Sequence, residues 1–170
     1  VGRLDKVKDF HTLIKIFSII KNTKQFDSWV LKIFGNDHGE RESLLKLVSE
    51  LKLEKFVYIN NAILNIEEEF LKSDVYLMTS KDECFPLVLL EAQEYGLPII
   101  SFDCPSGPRD IINHNIDGYL VKVGDINDYV QKLRLLMSNF ELRRIMGEKA
   151  RMNVRKFNID NIIQRWLEIL

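Results

Sequence analysis

Short strand-like runs alternating with helix-like runs predict an α/β protein: a Rossmann-like three-layer α/β/α domain on a mostly parallel sheet. Apolar residues recur at helical spacing in Phe10, Leu13, Ile14, Phe17 and Ile20, and again in Leu44, Leu45, Leu47, Val48 and Leu51. Between such stretches lie short β-rich runs, among them Trp29 to Phe34 and Leu97 to Phe102. The connections are short, as in right-handed βαβ units. A chain of 170 residues suits a single domain, long enough to bury about 70% of its unfolded surface.

Val1 to Leu4 reads as the end of a strand, followed by a polar turn from Asp5 to Lys8. A helix runs from Asp9 to about Lys21, and the strand Trp29 to Phe34 is stopped by Gly35. Asn36 to Glu40 is a polar loop and Arg41 to Leu51 a helix. Phe56 to Ile59 is a short strand, Ile66 to Lys72 an acidic helix, and Val75 to Thr79 another strand. Pro86 suits the first turn of the next helix, because its missing N–H is unpaired there in any case, and Gly96 suits its carboxyl end. Leu97 to Phe102 is a strand, Cys104 to Pro108 a loop that breaks both periods, Arg109 to Asn113 a helical turn and Gly118 to Val121 a last strand. Three helical patterns close the chain, Ile126 to Met137, Glu141 to Lys156 and 159 to 170, with Asp125 and Asp160 as capping candidates. Because Val1 to Leu4 is so short, the strand ending at Arg3 reads as cut short at a place where it would be central in the sheet.

Apolar residues make up 46% and charged residues 29% of the chain, the proportions of an ordinary globular domain. A formal net charge of −1 supplies no global field for nucleic acid, and none is expected as a partner. No run of about 20 apolar residues marks a transmembrane span. Cys84 and Cys104 form no disulfide framework, and neither has a second Cys or a His at metal-ligand spacing. Both read as free thiols in a reducing compartment, and no metal is expected. His11, His38 and His114 are scattered in polar contexts and read as surface residues.

In an open parallel sheet, ligands bind outside the carboxyl ends of the strands. The loops 3–8, 35–39, 60–64, 80–86 and 103–108 all belong to that edge and are expected to face one crevice. Arg3 and Lys8 place two cations there. The helix that starts at Pro86 offers free N–H groups and partial positive charge, a seat for an anion. No Gly-x-Gly-x-x-Gly and no phosphate-loop lysine motif accompanies them, so any phosphate must rely on side-chain cations and that helix end. Glu91 interrupts the apolar run Leu87 to Ala92 and is expected to need a partner. Glu83 and Glu91 read either as an acid/base pair or, more plainly, as a cap and a buried hydrogen bond. Cys84 reads as an inert thiol beside the anion seat, and Gly107 as a loop-shaping glycine or one that lets backbone approach a ligand.

These residues carry a resemblance that spans essentially the whole chain. The chain resembles the C-terminal, donor-binding domain of the family 4, or group 1, retaining glycosyltransferases. The marks are Gly2-Arg3-Leu4 with Lys8, then Trp29 to Gly35, Glu83 to Ala92, Gly96 to Ile100, Gly107 to Ile112 and Asp117 to Val121, all in order. The resemblance implies one half of a two-domain B-type fold. Residues 1–170 would be the nucleotide-sugar-binding domain, 159–170 its C-terminal helix, and the acceptor-binding half would be absent.

It further implies that Arg3 and Lys8 hold the diphosphate and stabilise its developing charge, that Glu83 contacts the transferred sugar, and that Glu91 accepts hydrogen bonds from the ribose. By this likeness Arg3, Lys8 and Glu83 are the catalytic candidates. Backbone N–H groups of Phe85, Pro86 being without one, Leu87 and Val88 would meet sugar and phosphates, and the base would lie along Asn61 to Leu64, at Asn61 and Ile63. No cofactor and no metal is implied, since the nucleotide sugar is the substrate. The run Cys104 to Ile112 is similar to members that use UDP-sugars in capsule or lipid-linked glycan assembly. The implied acceptor is a glycan or a lipid-linked glycan, reached through the other half of the enzyme. The implied location is the cytoplasm or the inner face of the membrane, with peripheral association open to the full-length protein. Cys84 and Asp9 stand where the family usually has glycine. Against this stands a non-catalytic nucleotide-sugar or carbohydrate-binding module of the same fold, which the Cys84 substitution keeps open.

Overall fold

The computed structural model describes residues 1–167 and 169. Its strands are β1 (Leu31–Phe34), β2 (Val57–Asn60), β3 (Tyr76–Met78), β4 (Ile99–Phe102) and β5 (Gly118–Val121). Its helices are α1 (Phe10–Lys21), α2 (Arg41–Glu50), α3 (Glu67–Leu71), α4 (Leu87–Glu94), α5 (Pro108–Ile111), α6 (Ile126–Ser138), α7 (Phe140–Val154) and α8 (Ile159–Leu167). Strands and helices alternate from β1 to α6, and all strand pairs are parallel. The α/β class and the parallel pairing agree with the sequence. Two short 3-10 turns, Lys24–Phe26 and Arg155–Phe157, were not anticipated.

The hydrogen-bonded strands form two sheets rather than one, β1-β2 and β3-β4-β5. Between them runs the segment read as a strand end. The Gly2 N–H donates to Phe34 O and the Leu4 N–H to Asn36 O, both at 2.9 Å, so residues 1–4 extend beside the end of β1 without being a strand. Below them, β1 and β3 face each other across a cavity of about 410 Å³ lined by residues such as Ile33, Val75, Leu77 and Met137. The apolar core nevertheless continues from one sheet to the other, because Trp29 and Leu77 pack against the clusters on both sides.

β4 is central in its sheet and buried at all four positions, as a doubly covered strand requires. Tyr129 of α6 reaches this layer and donates its hydroxyl to Ile100 O at 2.8 Å. Helix starts follow local chemistry. Asp9 caps α1, Asp125 caps α6 and Asn139 caps α7, each accepting from the third following N–H. Asp160, expected as a cap, lies inside α8, which begins one residue earlier, at Ile159. Pro86 sits at the N-cap of α4 with ψ 90°, one position before the first helical turn where it was expected. Residues 168 and 170 of the anticipated last helix lie outside the described residues.

Gly147 of α7 is where two helices touch by backbone. A Cβ there would lie 2.1 Å from Gly96 O, at the end of α4, a backbone atom with little room to yield. Gly147→Ala is therefore expected to destabilise the chain by about 2–3 kcal/mol in urea unfolding. An unchanged midpoint would mean that α4 and α7 separate without cost.

Candidate functional site

The site is built where three loops meet at the carboxyl ends of the strands. Asp5 makes the first turn tight: its Oδ1 accepts the N–H groups of Val7 at 3.1 Å and Lys8 at 3.0 Å. Asp9 then takes a left-handed conformation, φ 47°, which glycine adopts freely and Asp tolerates better than most residues. The loop after β3 is tied to this turn. Thr79 Oγ1 lies 3.2 Å from Lys8 O and 3.0 Å from Asp9 O, and the Lys81 N–H donates to Val7 O at 2.9 Å.

Side chains complete the tie. Lys8 Nζ donates to Glu83 Oε1 at 2.5 Å, with the two side chains only 19% and 12% exposed. One residue after Lys8 and two residues before Glu83, Asp9 and Lys81 make a second pair, with Lys81 Nζ 3.2 Å from Asp9 Oδ2. From the third loop, Ser106 Oγ donates to Glu83 O at 3.1 Å. Gly107 backs the same loop: a Cβ there would lie 2.6 Å from Pro86 Cδ and 2.9 Å from Cys84 O. Its φ of 86° agrees with the loop-shaping reading of Gly107, and close approach to the neighbouring loop adds a second reason for glycine. Burial, first of all, raises the pKa of the Cys104 thiol at the root of that loop, which keeps it protonated and unreactive.

The helix ends at this edge differ. The Asp9 carboxylate accepts the Thr12 N–H of α1, and Asp37 Oδ1 accepts the N–H groups of Gly39, Glu40 and Arg41 as α2 begins. Those backbone donors, that of Arg41 foremost, hold the Asp37 carboxyl below the usual carboxylate range. Both helices thus carry their own anion. α4 begins at Pro86 with no side-chain cap, so the first N–H groups of α4, at Leu87 and Val88, face the loop of Glu83 without an internal partner from a capping side chain.

The remaining candidates are spread along the edge. Arg3 is 64% exposed and paired with Asp5 at 3.2 Å, not with the Lys8 and Glu83 pair. Phe85 is exposed and meets Phe157 edge to face at 5.8 Å. Asn61 and Ile63 are exposed. Their loop is joined to the loop after β1 by Arg41, whose guanidinium donates to Gly35 O at 3.1 Å, Asn60 O at 3.2 Å and Asn61 Oδ1 at 2.9 Å. Glu91 is a correction to the sequence reading. It is exposed, not buried in its apolar run, because α4 turns that face to an open cavity of about 960 Å³. Leu64, Ile66, Leu90, Tyr95 and Phe157 line the cavity with it. Glu83 is held by Lys8, whereas the Glu91 side chain has no hydrogen bond or ion pair among the described residues. Sequence reasoning missed Asp9, Thr79, Lys81 and Arg41 as connectors, since their partners are distant in the chain and no local pattern marks them.

The family profile described as "Glycosyl transferases group 1" matches residues 1–153. The chain belongs to this family. It is 33% identical over its full length to an uncharacterized glycosyltransferase of Haemophilus influenzae and 35% identical to the amylovoran biosynthesis glycosyltransferase AmsD of Erwinia amylovora. It covers 47% and 46% of those two proteins, so this group 1 chain spans about half the length of the curated relatives it matches. Among solved structures it is similar to a Staphylococcus aureus TarM mutant in complex with fondaparinux, alpha-GlcNAc-glycerol and UDP. The TM-score is 0.91 at 26% identity, covering 98% of this chain and 34% of that one. Glycosyltransferase chains of this kind are thus similar in fold as well as in sequence. Among the described residues, no helix is long and apolar enough to cross a membrane.

Substitutions at three positions test how the site is held. Gly107→Ala places a Cβ against backbone at φ 86° and is expected to cost about 1–3 kcal/mol, read as a lower Tm. Lys8→Met leaves the Glu83 carboxylate without its cation and is expected to destabilise by about 2–3 kcal/mol. Adding Glu83→Gln is expected to recover part of that loss. Simple additivity in the double-mutant cycle would show that the two side chains do not interact.

Proposed function

We propose that the chain is the donor-binding domain of a retaining glycosyltransferase that takes a nucleotide sugar, UDP-sugar favoured. The observation that carries this reading is the Lys8 and Glu83 pair set against the uncapped start of α4. In it, the diphosphate lies on the Leu87 and Val88 N–H groups and on Lys8, with Arg3 swinging from Asp5 to reach it. Glu83 grips the hydroxyls of the sugar, and Phe85 borders the sugar site. Glu91 accepts from the ribose in the open cavity, and the base lies toward Asn61, Ile63 and Leu64. The UDP of the TarM complex supports the choice of nucleotide.

Cleavage of the bond between sugar and diphosphate leaves negative charge on the departing oxygens. Fixed cations and a helix dipole already aimed there lower the barrier without reorganising. The sugar is delivered with its anomeric configuration retained, and the chemistry calls on no cofactor and no metal. The acceptor, a glycan or lipid-linked glycan of a surface polysaccharide, is held by a second domain of the longer protein. That protein works in the cytoplasm or at the inner face of the membrane.

Calorimetric titration with UDP, GDP and ADP tests the reading. UDP is expected to bind, and Glu91→Ala to weaken it about tenfold or more by removing the ribose acceptor. Absence of binding for all three nucleotides, or an affinity indifferent to Glu91, would refute it. The chain alone is expected to transfer no sugar to an acceptor.

A further inference from the structure

The Asp9 and Lys81 pair is not explained by the roles above. Glycine would satisfy the left-handed backbone at position 9, yet a carboxylate stands there, inside a crevice proposed to bind an anion. That carboxylate is 12% exposed and does not depend on Lys81, because Thr12 serves it with its N–H at 3.3 Å and its Oγ1 at 2.8 Å. Lys81 is held differently. Its side chain is 59% exposed, and its ammonium touches Asp9 alone among the described hydrogen bonds and ion pairs. Its backbone is fixed, since its N–H is bonded to Val7 O and Glu83 follows two residues on. The stem is therefore anchored beside Lys8 while the charged end is free to turn.

We propose that Lys81 is a further diphosphate ligand of this chain, stored on Asp9 and released to the nucleotide when it binds. The Lys81 end of the pair is exposed and water can solvate it, so leaving Asp9 costs Lys81 little. A diphosphate carries more charge than a single carboxylate, and it lies within the same cluster of cations. Asp9 keeps its two bonds from Thr12 after the exchange, so no buried charge is stranded. Asp9 then acts as a positioning residue that holds Lys81 over the crevice and weakens diphosphate binding by competing for it.

This inference rests on the donor-site reading above, and the test separates the two. Lys81→Met and Asp9→Asn are titrated with UDP and with UMP, or with GDP and GMP if guanine is the base bound. Lys81→Met is expected to weaken the diphosphate about fivefold, to leave the monophosphate nearly unchanged and to flatten the salt dependence of binding. Lys81→Arg is expected to retain most of the affinity. Asp9→Asn, which keeps a capping oxygen for Thr12, is expected to strengthen the diphosphate about twofold or more. Ligand-free Tm is expected to stay within about 2 °C for Lys81→Met. If the wild-type chain binds a diphosphate and Lys81→Met binds it within twofold, Lys81 is a surface ion pair and the inference is overturned. Equal weakening of mono- and diphosphate, or weaker diphosphate binding in Asp9→Asn, would also overturn it. A wild-type chain that binds no nucleotide removes the donor-site reading itself.

Discussion

The site depends on the tie between the turn before α1 and the loop after β3. Thr79 holds the carbonyls of Lys8 and Asp9, Lys81 holds the carbonyl of Val7, and Lys8 meets Glu83. The two ends of that tie belong to different sheets. Residues 1–4 run beside β1, while residues 79–83 leave β3, so the contact closes at the carboxyl edge what the strands do not close by hydrogen bonding. Beneath it a cavity of about 410 Å³ lies between the sheets, and the gap is spanned by packing through Trp29, Leu77 and the two faces of α1 and by the hydrogen bonds between Val1 and Tyr76.

That arrangement distributes charge in a particular way. Each sign alternates across the two loops: Lys8 faces Glu83 and Asp9 faces Lys81. The more enclosed pair is rigid, because removing either partner strands a charge away from solvent. The Asp9 and Lys81 pair is looser at its lysine end, because Lys81 is exposed while Asp9 keeps its bonds from Thr12. An enclosed cation, Lys8, and an exposed one, Lys81, thus stand on the two loops next to a helix start that lacks its own capping side chain.

The third loop completes the frame. Gly107 and Ser106 press against the backbone of Glu83 to Pro86, so the position of Glu83 is set by the chain about 20 residues downstream as well as by Lys8. Glycine at 107 is required by its positive φ and by contact with Pro86 and Cys84 O. Cys84 itself is exposed.

The sequence by itself determined the order of strands and helices, the parallel class and the starts of α1 and α6, because these follow from apolar spacing within a few residues and from side chains that cap their own helix. It also placed Arg3, Lys8, Glu83 and the helix start at Pro86 at one edge of an alternating fold, and the family resemblance added Phe85, Leu87, Val88 and Glu91 to that group. What only the tertiary structure decided were relations across 70 or more residues: that Lys8 pairs with Glu83, that Lys81 pairs with Asp9, and that Arg3 does not join them. The exposure of Glu91 was illegible for the same kind of reason. An acid in an apolar run looks buried until packing fixes which side of the short helix α4 faces the core, and here Leu89 and Ala92 face it while Glu91 faces the open cavity. Local chemistry sets what a segment can become, and only the placement of distant segments decides which charges meet.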